Sequence, residues 1–243
     1  NSDIAGQVDG TRARRSPGSA LKPFIYALAM DRGLIHPMSM MKDAPKRFGA
    51  YTPENFDQQF LGPVFARDAL IKSRNVPAVN LTARLADKDE AGFYGFLQEA
   101  GIAGLREPTF YGLALALGGI EGSMGELAGL YAMLANGGEL RPLSTRLDDD
   151  EKQGKHLLSP EASFITLEIL RDNPPPRREV LRGALEERSR IAWKTGTSYA
   201  FRDAWAIGLA GPYVLAVWVG NFDGSGNPAF VGRTAAGPLL FDL

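Results

Sequence analysis

The sequence predicts an α+β protein, with an antiparallel sheet in the C-terminal third, helices before and after it, and a second lobe built mainly of helices. Apolar residues recur at helical spacing in several stretches before residue 171, each bounded by capping or breaking signals. From residue 191 the pattern changes to short β-branched and aromatic runs separated by Gly and Pro. The chain has 243 residues, 44% of them hydrophobic, which suffices for one sizeable core, and no internal repeat divides it.

In the first helix Leu21, Phe24, Ile25 and Leu28 stand at i, i+3, i+4 and i+7 and form an apolar stripe, with Ser19, Lys22 and Tyr26 on the stripe opposite. Ser16-Pro17-Gly18 is a turn signal, and Pro23 fits only where a helix has just begun, so Ser19 stands at the helix start. Gly33 is its C-cap. Residues 43–65, rich in Pro, Gly and aromatics (Tyr51-Thr52-Pro53-Glu54-Asn55-Phe56), read as a long ordered connection. A helix over 66–72 buries Ala69 and Leu70 and stops near Ser73-Arg74-Asn75, because Pro77 disfavours helix at Val76. A second helix is expected over 77–85, and the charged stretch 87–90 leads to a third with Phe93, Phe96, Leu97 and Ala100 inward and Gly101 at its end.

Ser123-Met124-Gly125-Glu126 matches a capping box ahead of Leu127, Leu130, Tyr131 and Leu134, with Asn136-Gly137-Gly138 as the stop. The charge run 148–155 reads as a solvated loop. Ser159 and Pro160 open a helix through Leu170, which Asn173-Pro174-Pro175-Pro176 ends. Residues 191–195, 204–209 and 213–219 read as three consecutive antiparallel strands, and 239–243 starts a final helix packed on them.

Composition narrows the chemistry. There is no cysteine, which excludes a thiol nucleophile and a disulfide framework. His36 and His156 are the only histidines and neither sits in a motif, so both read as surface or loop residues rather than as parts of a catalytic triad or metal site. A net charge of −1 gives no reason to expect nucleic acid or an anionic membrane as partner. No apolar run approaches the ~18 residues of a membrane span, so the chain as given is expected to be soluble.

Against that background Ser19-Ala20-Leu21-Lys22 stands out. Side chains three apart on a helix are neighbours, with Cβ atoms about 5–6 Å apart, so a neutral lysine amine can reach the serine hydroxyl, take its proton and make an alkoxide nucleophile. A helix start adds free N–H groups and a dipole that favour developing negative charge. A lone S-x-x-K pair is uninformative, since ordinary residue usage gives about one per chain of this length. A second copy, Ser39-Met40-Met41-Lys42, lies between Pro37 and Pro45 with no room for a sustained helix and reads as the accidental one. The first copy gains weight from two later motifs, Ser73-Arg74-Asn75 at a helix end and Lys194-Thr195-Gly196-Thr197 on the first C-terminal strand; K-T-G-T arises by chance in well under one in about a hundred such chains. Ser225-Gly226-Asn227 also fits S-x-N but follows Lys194 in a Gly-rich loop.

S-x-x-K, S-x-N and K-T-G in this order form a recorded active-site set of serine β-lactamases and penicillin-binding proteins. The longer strings Arg15-Ser16-Pro17-Gly18-Ser19-Ala20-Leu21-Lys22-Pro23-Phe24, Gly33-Leu34-Ile35-His36-Pro37, Trp193-Lys194-Thr195-Gly196-Thr197-Ser198-Tyr199 and Arg202-Asp203-Ala204-Trp205-Ala206-Ile207-Gly208 resemble the transpeptidase domain of bifunctional (class A) penicillin-binding proteins, of the type called 1C. The resemblance covers essentially the whole chain. It implies the serine β-lactamase/penicillin-binding transpeptidase-like fold, with one domain over 1–243, a mainly helical lobe over 34–158, and a sheet-plus-helix lobe over 1–33 and 159–243. Two of that family's five sheet strands precede the nucleophile helix. Residues 1–18 are polar and Gly-rich and do not read as strands, so the chain is expected to be a fragment, or to lack them, and to come without the family's glycosyltransferase domain and membrane anchor.

For chemistry the resemblance implies Ser19 as acylated nucleophile, Lys22 as general base and Ser73 as proton relay. Asn75 would hold the substrate amide, and Lys194, Thr195, Gly196 and Thr197 would bind the rest, with the N–H groups of Ser19 and Thr197 as oxyanion hole. Lys22 must then be neutral, its ordinary pKa of ~10.4 depressed by burial beside Lys194. The implied partners are peptidoglycan stem peptides, with β-lactams as inhibitors and other cell-wall proteins possible; no cofactor and no metal are implied. The implied location is the periplasmic face of a bacterial inner membrane. A β-lactamase or D,D-carboxypeptidase would pass the acyl group to water and a penicillin sensor would stop at the acyl-enzyme; no deacylating glutamate is identifiable from the sequence.

Overall fold

The structure is a computed structural model that describes residues 8–144, 146, 153–176 and 191–243. A 3₁₀ turn over Gly18–Leu21 carries Ser19 and leads directly into α1 (Lys22–Asp31), with Pro23 in its first turn where a missing N–H costs nothing. The helix is buried all round from Lys22 to Ala29. Leu21, Phe24, Ile25 and Leu28 are buried as their spacing requires, but Lys22, Tyr26, Ala27 and Ala29 are buried as well. The stripe expected opposite the core therefore meets a second packing surface, and α1 is the central rod of the molecule. Gly33, at φ +66°, ends it: its N–H donates to the Met30 carbonyl and that of Leu34 to Ala29.

The 43–65 connection is a hairpin loop closed by two short strands that the residue pattern does not predict, β1 (Met40–Asp43) and β2 (Gly62–Phe65), paired antiparallel. The second S-x-x-K copy runs into β1, in extended backbone with Met41 inward and Lys42 outward. Next come α2 (Ala66–Ile71) and α3 (Asn75–Lys88). The expected start of α3 at Pro77 is corrected to Asn75, because a proline in the first turn removes no helical hydrogen bond, and the helix extends through Asp87 and Lys88. It is followed by α4 (Gly92–Glu99), the single turn α5 (Pro108–Tyr111) and α6 (Met124–Ala135), whose capping box is present with both hydrogen bonds.

β3 (Glu139–Leu140) pairs with β4 (Lys155–His156), which places the end of the 148–155 run in a strand; residues 148–152 lie outside the described residues. Then come α7 (Pro160–Arg171), capped by Ser159, and the sheet strands β5 (Ala192–Thr197), β6 (Asp203–Ala210) and β7 (Tyr213–Gly220). The strands pair antiparallel in the order β5-β6-β7, with Lys194 opposite Ile207 and Thr197 opposite Ala204. A wide π-type turn over Gly232–Ala236 leads into α8 (Gly237–Asp242).

Period-2 alternation divides the sheet between two cores. Ala192, Ile207 and Leu209 join the large core around α1, α3, α6 and α7. Trp193, Ala204 and Ala206 face the opposite way onto Leu240 of α8. Helices thus cover both faces of the sheet. Among the described residues no helix is long and apolar enough to cross a membrane.

The turn bearing Ser19 lies unusually close to β5, and glycine makes that approach possible. Gly18 has φ +53°, and a Cβ on it would overlap the Thr197 carbonyl; a Cβ on Gly196 would overlap Pro17. Gly118 has φ +82°, and a Cβ there would run into the Gly18 backbone. Gly118→Ala combines backbone strain with a clash and should cost about 2–4 kcal/mol, a fall in Tm of about 5–15 °C. Gly33→Ala, at a similar φ but with nothing within 4 Å of the added carbon, should cost only about 1 kcal/mol. Equal losses in thermal melts of the two variants would mean that the close approach is not the constraint.

Candidate active site

Between α2 and α3 the backbone turns through Ser73, whose φ of +56° is uncommon for a residue with a side chain. Its N–H donates to the Leu70 carbonyl and that of Arg74 to Ala69, closing α2. The turn aims both the Ser73 carbonyl and the Ser73 hydroxyl at the start of α1. The Lys22 ammonium nitrogen lies 2.6 Å from the Ser73 carbonyl oxygen, 2.6 Å from Asn75 Oδ1 and 3.4 Å from Ser73 Oγ. From the sheet side Lys194 Nζ donates to Ser73 Oγ at 2.8 Å and to its neighbour's carbonyl, Thr195 O, at 3.0 Å. One serine hydroxyl therefore joins two lysines that are 0% and 1% exposed.

Burial, with no carboxylate in ion-pair contact with either lysine among the described residues, disfavours both ammonium forms. Desolvation first, then the positive charges of Lys194 and Arg74, hold Lys22 well below the usual lysine range, with Asp43 pulling the other way. Lys194 is pushed down to about 7 by burial and by the Arg233 guanidinium. A neutral amine has two N–H donors and one lone pair. In Lys22 the two donors are taken by the Ser73 carbonyl and Asn75 Oδ1, so the lone pair is left to accept a proton.

Ser19 itself opens onto a cleft of about 930 Å³ whose wall also carries Ser73, Asn75, Thr195 and Thr197. Among the described residues its hydroxyl has no hydrogen-bond partner, so the direct Lys22–Ser19 contact expected from S-x-x-K spacing is not made in this structure. The Lys22 amine is held instead by the Ser73 carbonyl and Asn75 Oδ1, each at 2.6 Å. Thr197 Oγ1 accepts the Gly232 N–H at 2.9 Å, which leaves its own proton to donate into the cleft. Gly196 is buried against Pro17 and Ala20 rather than on the cleft wall. Ser39, Ser225 and Asn227 do not line the cleft, and His36 and His156 are exposed.

Several supports were not legible in the motifs. Trp205 Nε1 donates to the Ser16 carbonyl at 2.9 Å and the buried Tyr131 hydroxyl to the Ala20 carbonyl at 2.8 Å, pinning the chain on both sides of Ser19. Arg74, which the motif treats only as the spacer of S-x-N, is paired with the fully buried Asp43 at 2.7 Å and with Asp57 at 2.8 Å. Arg233 lines the cleft with its guanidinium 5.4 Å from the Trp193 ring centre.

The depressed lysines have a consequence for stability. Above about pH 7 the folded chain holds Lys194 neutral while the unfolded chain keeps it protonated until near its ordinary pKa of 10.5. The unfolded state then binds more protons, so stability rises with pH across that window, by up to about 1.4 kcal/mol per unit for each such lysine. Urea unfolding at pH 7, 8 and 9 should show this rise, and Lys194→Met should remove its share and leave that of Lys22; a parent curve that is level or falls over that range would contradict the buried, neutral lysine.

A family model described as penicillin binding protein transpeptidase domain matches residues 7–232. Penicillin-binding protein 1C of Escherichia coli (strain K12) is 39% identical over 236 residues, 97% of this chain and 30% of that protein. Penicillin-binding protein 1F of Bacillus subtilis (strain 168) is 33% identical over 224 residues, 86% of this chain and 30% of the relative. Penicillin-binding protein 1A of Aquifex aeolicus (strain VF5) is 31% identical over 228 residues, again 86% and 30%. The chain thus spans about 30% of the length of these relatives. The match runs through the 3₁₀ turn of Ser19, the turn of Ser73 and the whole of β5, and it shows that the chain belongs to the penicillin-binding protein transpeptidase family, with that family's α+β fold.

Proposed function

We propose that the chain is a serine D,D-transpeptidase domain that cross-links peptidoglycan stem peptides through an acyl-enzyme on Ser19 and is inhibited covalently by β-lactams. The observation that supports this best is the meeting of Lys22 and Lys194 on the Ser73 hydroxyl beside a cleft that leaves the Ser19 hydroxyl free. In this reading Ser19 Oγ attacks the carbonyl carbon of the D-Ala-D-Ala amide while Lys22 takes the hydroxyl proton. The C–N bond breaks, and the proton passes by way of Ser73, hydrogen-bonded to Lys194, to the departing D-Ala amine. An amine of a neighbouring stem then attacks the ester, its proton travels back along the same groups, and the new amide leaves Ser19 free. The Ser19 and Thr197 N–H groups hold the oxyanion, where losing one donor typically costs about 10²–10³ in rate.

Asn75 holds the substrate amide, and Thr195 and Thr197 donate to the carboxylate next to the scissile bond, with the Arg233 guanidinium on the same cleft wall supplying positive field. The lobes proposed for this domain are 34–158 and the combination of 1–33 with 159–243. The site of action proposed is the outer face of a bacterial inner membrane. Glu54 gives the hydrolase alternative a foothold, since it lies on the cleft wall and makes no ion pair among the described residues.

Incubated with penicillin, the intact chain should gain one covalent adduct, mapped to Ser19, absent from Ser19→Ala and never on Ser39. Release should be far slower than acylation; rapid catalytic turnover that is lost in Glu54→Gln would move the protein to the hydrolases. A charge-assisted hydrogen bond contributes roughly 1.5–3 kcal/mol, so Thr195→Val and Thr197→Val should each slow acylation about 10- to 150-fold. Esterifying the substrate carboxylate should cost a similar factor. In the double-mutant sense the two changes should not multiply, because both remove one contact; full multiplication would remove these threonines from the carboxylate site.

A further inference from the structure

The cluster behind Ser73 is more elaborate than an S-x-N motif requires, and it is built from the 44–61 loop. Asp43 is fully buried. Its Oδ2 accepts Arg74 Nε at 2.7 Å and the Leu61 N–H at 3.0 Å, and its Oδ1 accepts Asn55 Nδ2 at 2.8 Å. Asn55, 3% exposed, donates a second time to the Gln59 carbonyl at 2.8 Å, which leaves its Oδ1 as an oriented acceptor. That oxygen takes the Asn75 backbone N–H at 2.7 Å. Asn75 opens α3, where the N–H groups have no partner within the helix, and the N-cap residue Arg74 offers no capping side chain. A residue twenty positions upstream therefore caps the helix. The next carbonyl back, Glu54 O, accepts Asn75 Nδ2 at 2.6 Å, so the side-chain amide is held with Oδ1 facing Lys22.

We infer that Asn55 is a positioning residue: anchored by the Asp43–Arg74 pair, it fixes the turn that presents Ser73 and Asn75 to Lys22, and so sets both the geometry and the charge balance of the proton-transfer site. The inference rests on the reading of Lys22 as base. Charged groups reach Lys22 from three elements: Lys194 on β5, Arg74 in the α2–α3 turn and Asp43 on β1. The Tyr26 hydroxyl, one turn along α1, is buried without a hydrogen-bond partner among the described residues and is kept protonated by burial and by Asp43. Arg74 and Asp43 oppose each other at Lys22, so exchanging amide for carboxylate at positions 43 and 55 perturbs that balance in known directions.

The experiment measures the rate constant of acylation by a fluorescent penicillin against pH, with melting curves for every variant. The rate rises as Lys22 loses its proton. Asn55→Asp puts a second carboxylate against Asp43, favours the ammonium form, and should move the midpoint up by about one unit and lower the rate at pH 7 about tenfold. Asp43→Asn leaves Arg74 less neutralised and should move the midpoint down, with a comparable loss at high pH where protonation no longer limits. The swap Asp43→Asn with Asn55→Asp restores one carboxylate and one amide and should return the rate to within a few-fold and the midpoint to its original place. Loosened packing alone would shift both single variants the same way and would not be repaired by the swap. Folded single variants with the parent's rate and midpoint, or a folded swap without recovery, overturn the inference. Should a charged variant fail to fold, Asn55→Ser, which removes the oriented acceptor without adding charge, should lower the acylation rate about tenfold with little change of midpoint; a folded Asn55→Ser with the parent's rate would overturn the inference. Hydrogen exchange at the Asn75 amide, expected to lose protection in Asn55→Ser, tests the cap without any acylation; unchanged protection there would overturn the capping role. A parent chain not acylated at Ser19 would sink the functional reading, whereas the cap stands or falls on exchange at Asn75.

Discussion

Two lysines that converge on one buried hydroxyl cannot both be charged at low cost, and much of the molecule follows from that constraint. At about 5–6 Å and an effective dielectric of ~20, two like charges repel by about 3 kcal/mol, before the cost of stripping water from each is added. Placing Lys22 on the first turn of α1 commits that helix to burial on every side, because its polar stripe faces the Ser73 turn rather than solvent. Placing Lys194 on β5 commits the sheet to lie against the same turn. The positive φ at Ser73 is the backbone strain that comes with showing a carbonyl to one lysine and a hydroxyl to both.

The charges around this point are distributed with the same end. Arg74 and Arg233 stand on opposite sides and each disfavours a lysine cation, Arg74 at Lys22 and Arg233 at Lys194. Asp43 is the buried counterweight, yet its carboxylate is committed to Arg74, Asn55 and the Leu61 N–H, not to a lysine. A carboxylate in direct contact with Lys22 would hold it protonated. The site is left with a surplus of positive field at the cleft, which favours an anionic ligand there.

Much of this was legible in the sequence, for physical reasons that differ by element. α6 and α7 announce themselves through caps within three residues of their first turn, and β5 to β7 through composition and period, because those signals are local. β1 and β2 were not legible. Met40-Met41-Lys42-Asp43 and Gly62-Pro63-Val64-Phe65 have little strand character and are defined by pairing across an 18-residue loop. The same applies to Asn55, whose oriented acceptor exists only once Asp43 and Gln59 have taken its donors. Ser19, Lys22, Ser73, Asn75 and the K-T-G-T strand could be nominated by type and order, but the turn at Ser73 that draws the Lys22 amine to its carbonyl and to Asn75 could not.

β5 shows how little chain is needed to separate two tasks. Its side chains alternate faces, so Lys194 points into the large core towards Ser73 while Thr195 and Thr197 reach the cleft from the other side of the strand. Gly196 falls on the lysine's side of the alternation, where the strand passes Pro17 and Ala20 so closely that any side chain would push the Ser19 turn away. Four consecutive residues thus hold a buried lysine, two hydroxyl donors and the one gap that lets the Ser19 turn approach the strand. Their order cannot be permuted: moving the glycine by one position would set a side chain against Pro17 and remove a donor from the cleft at the same time.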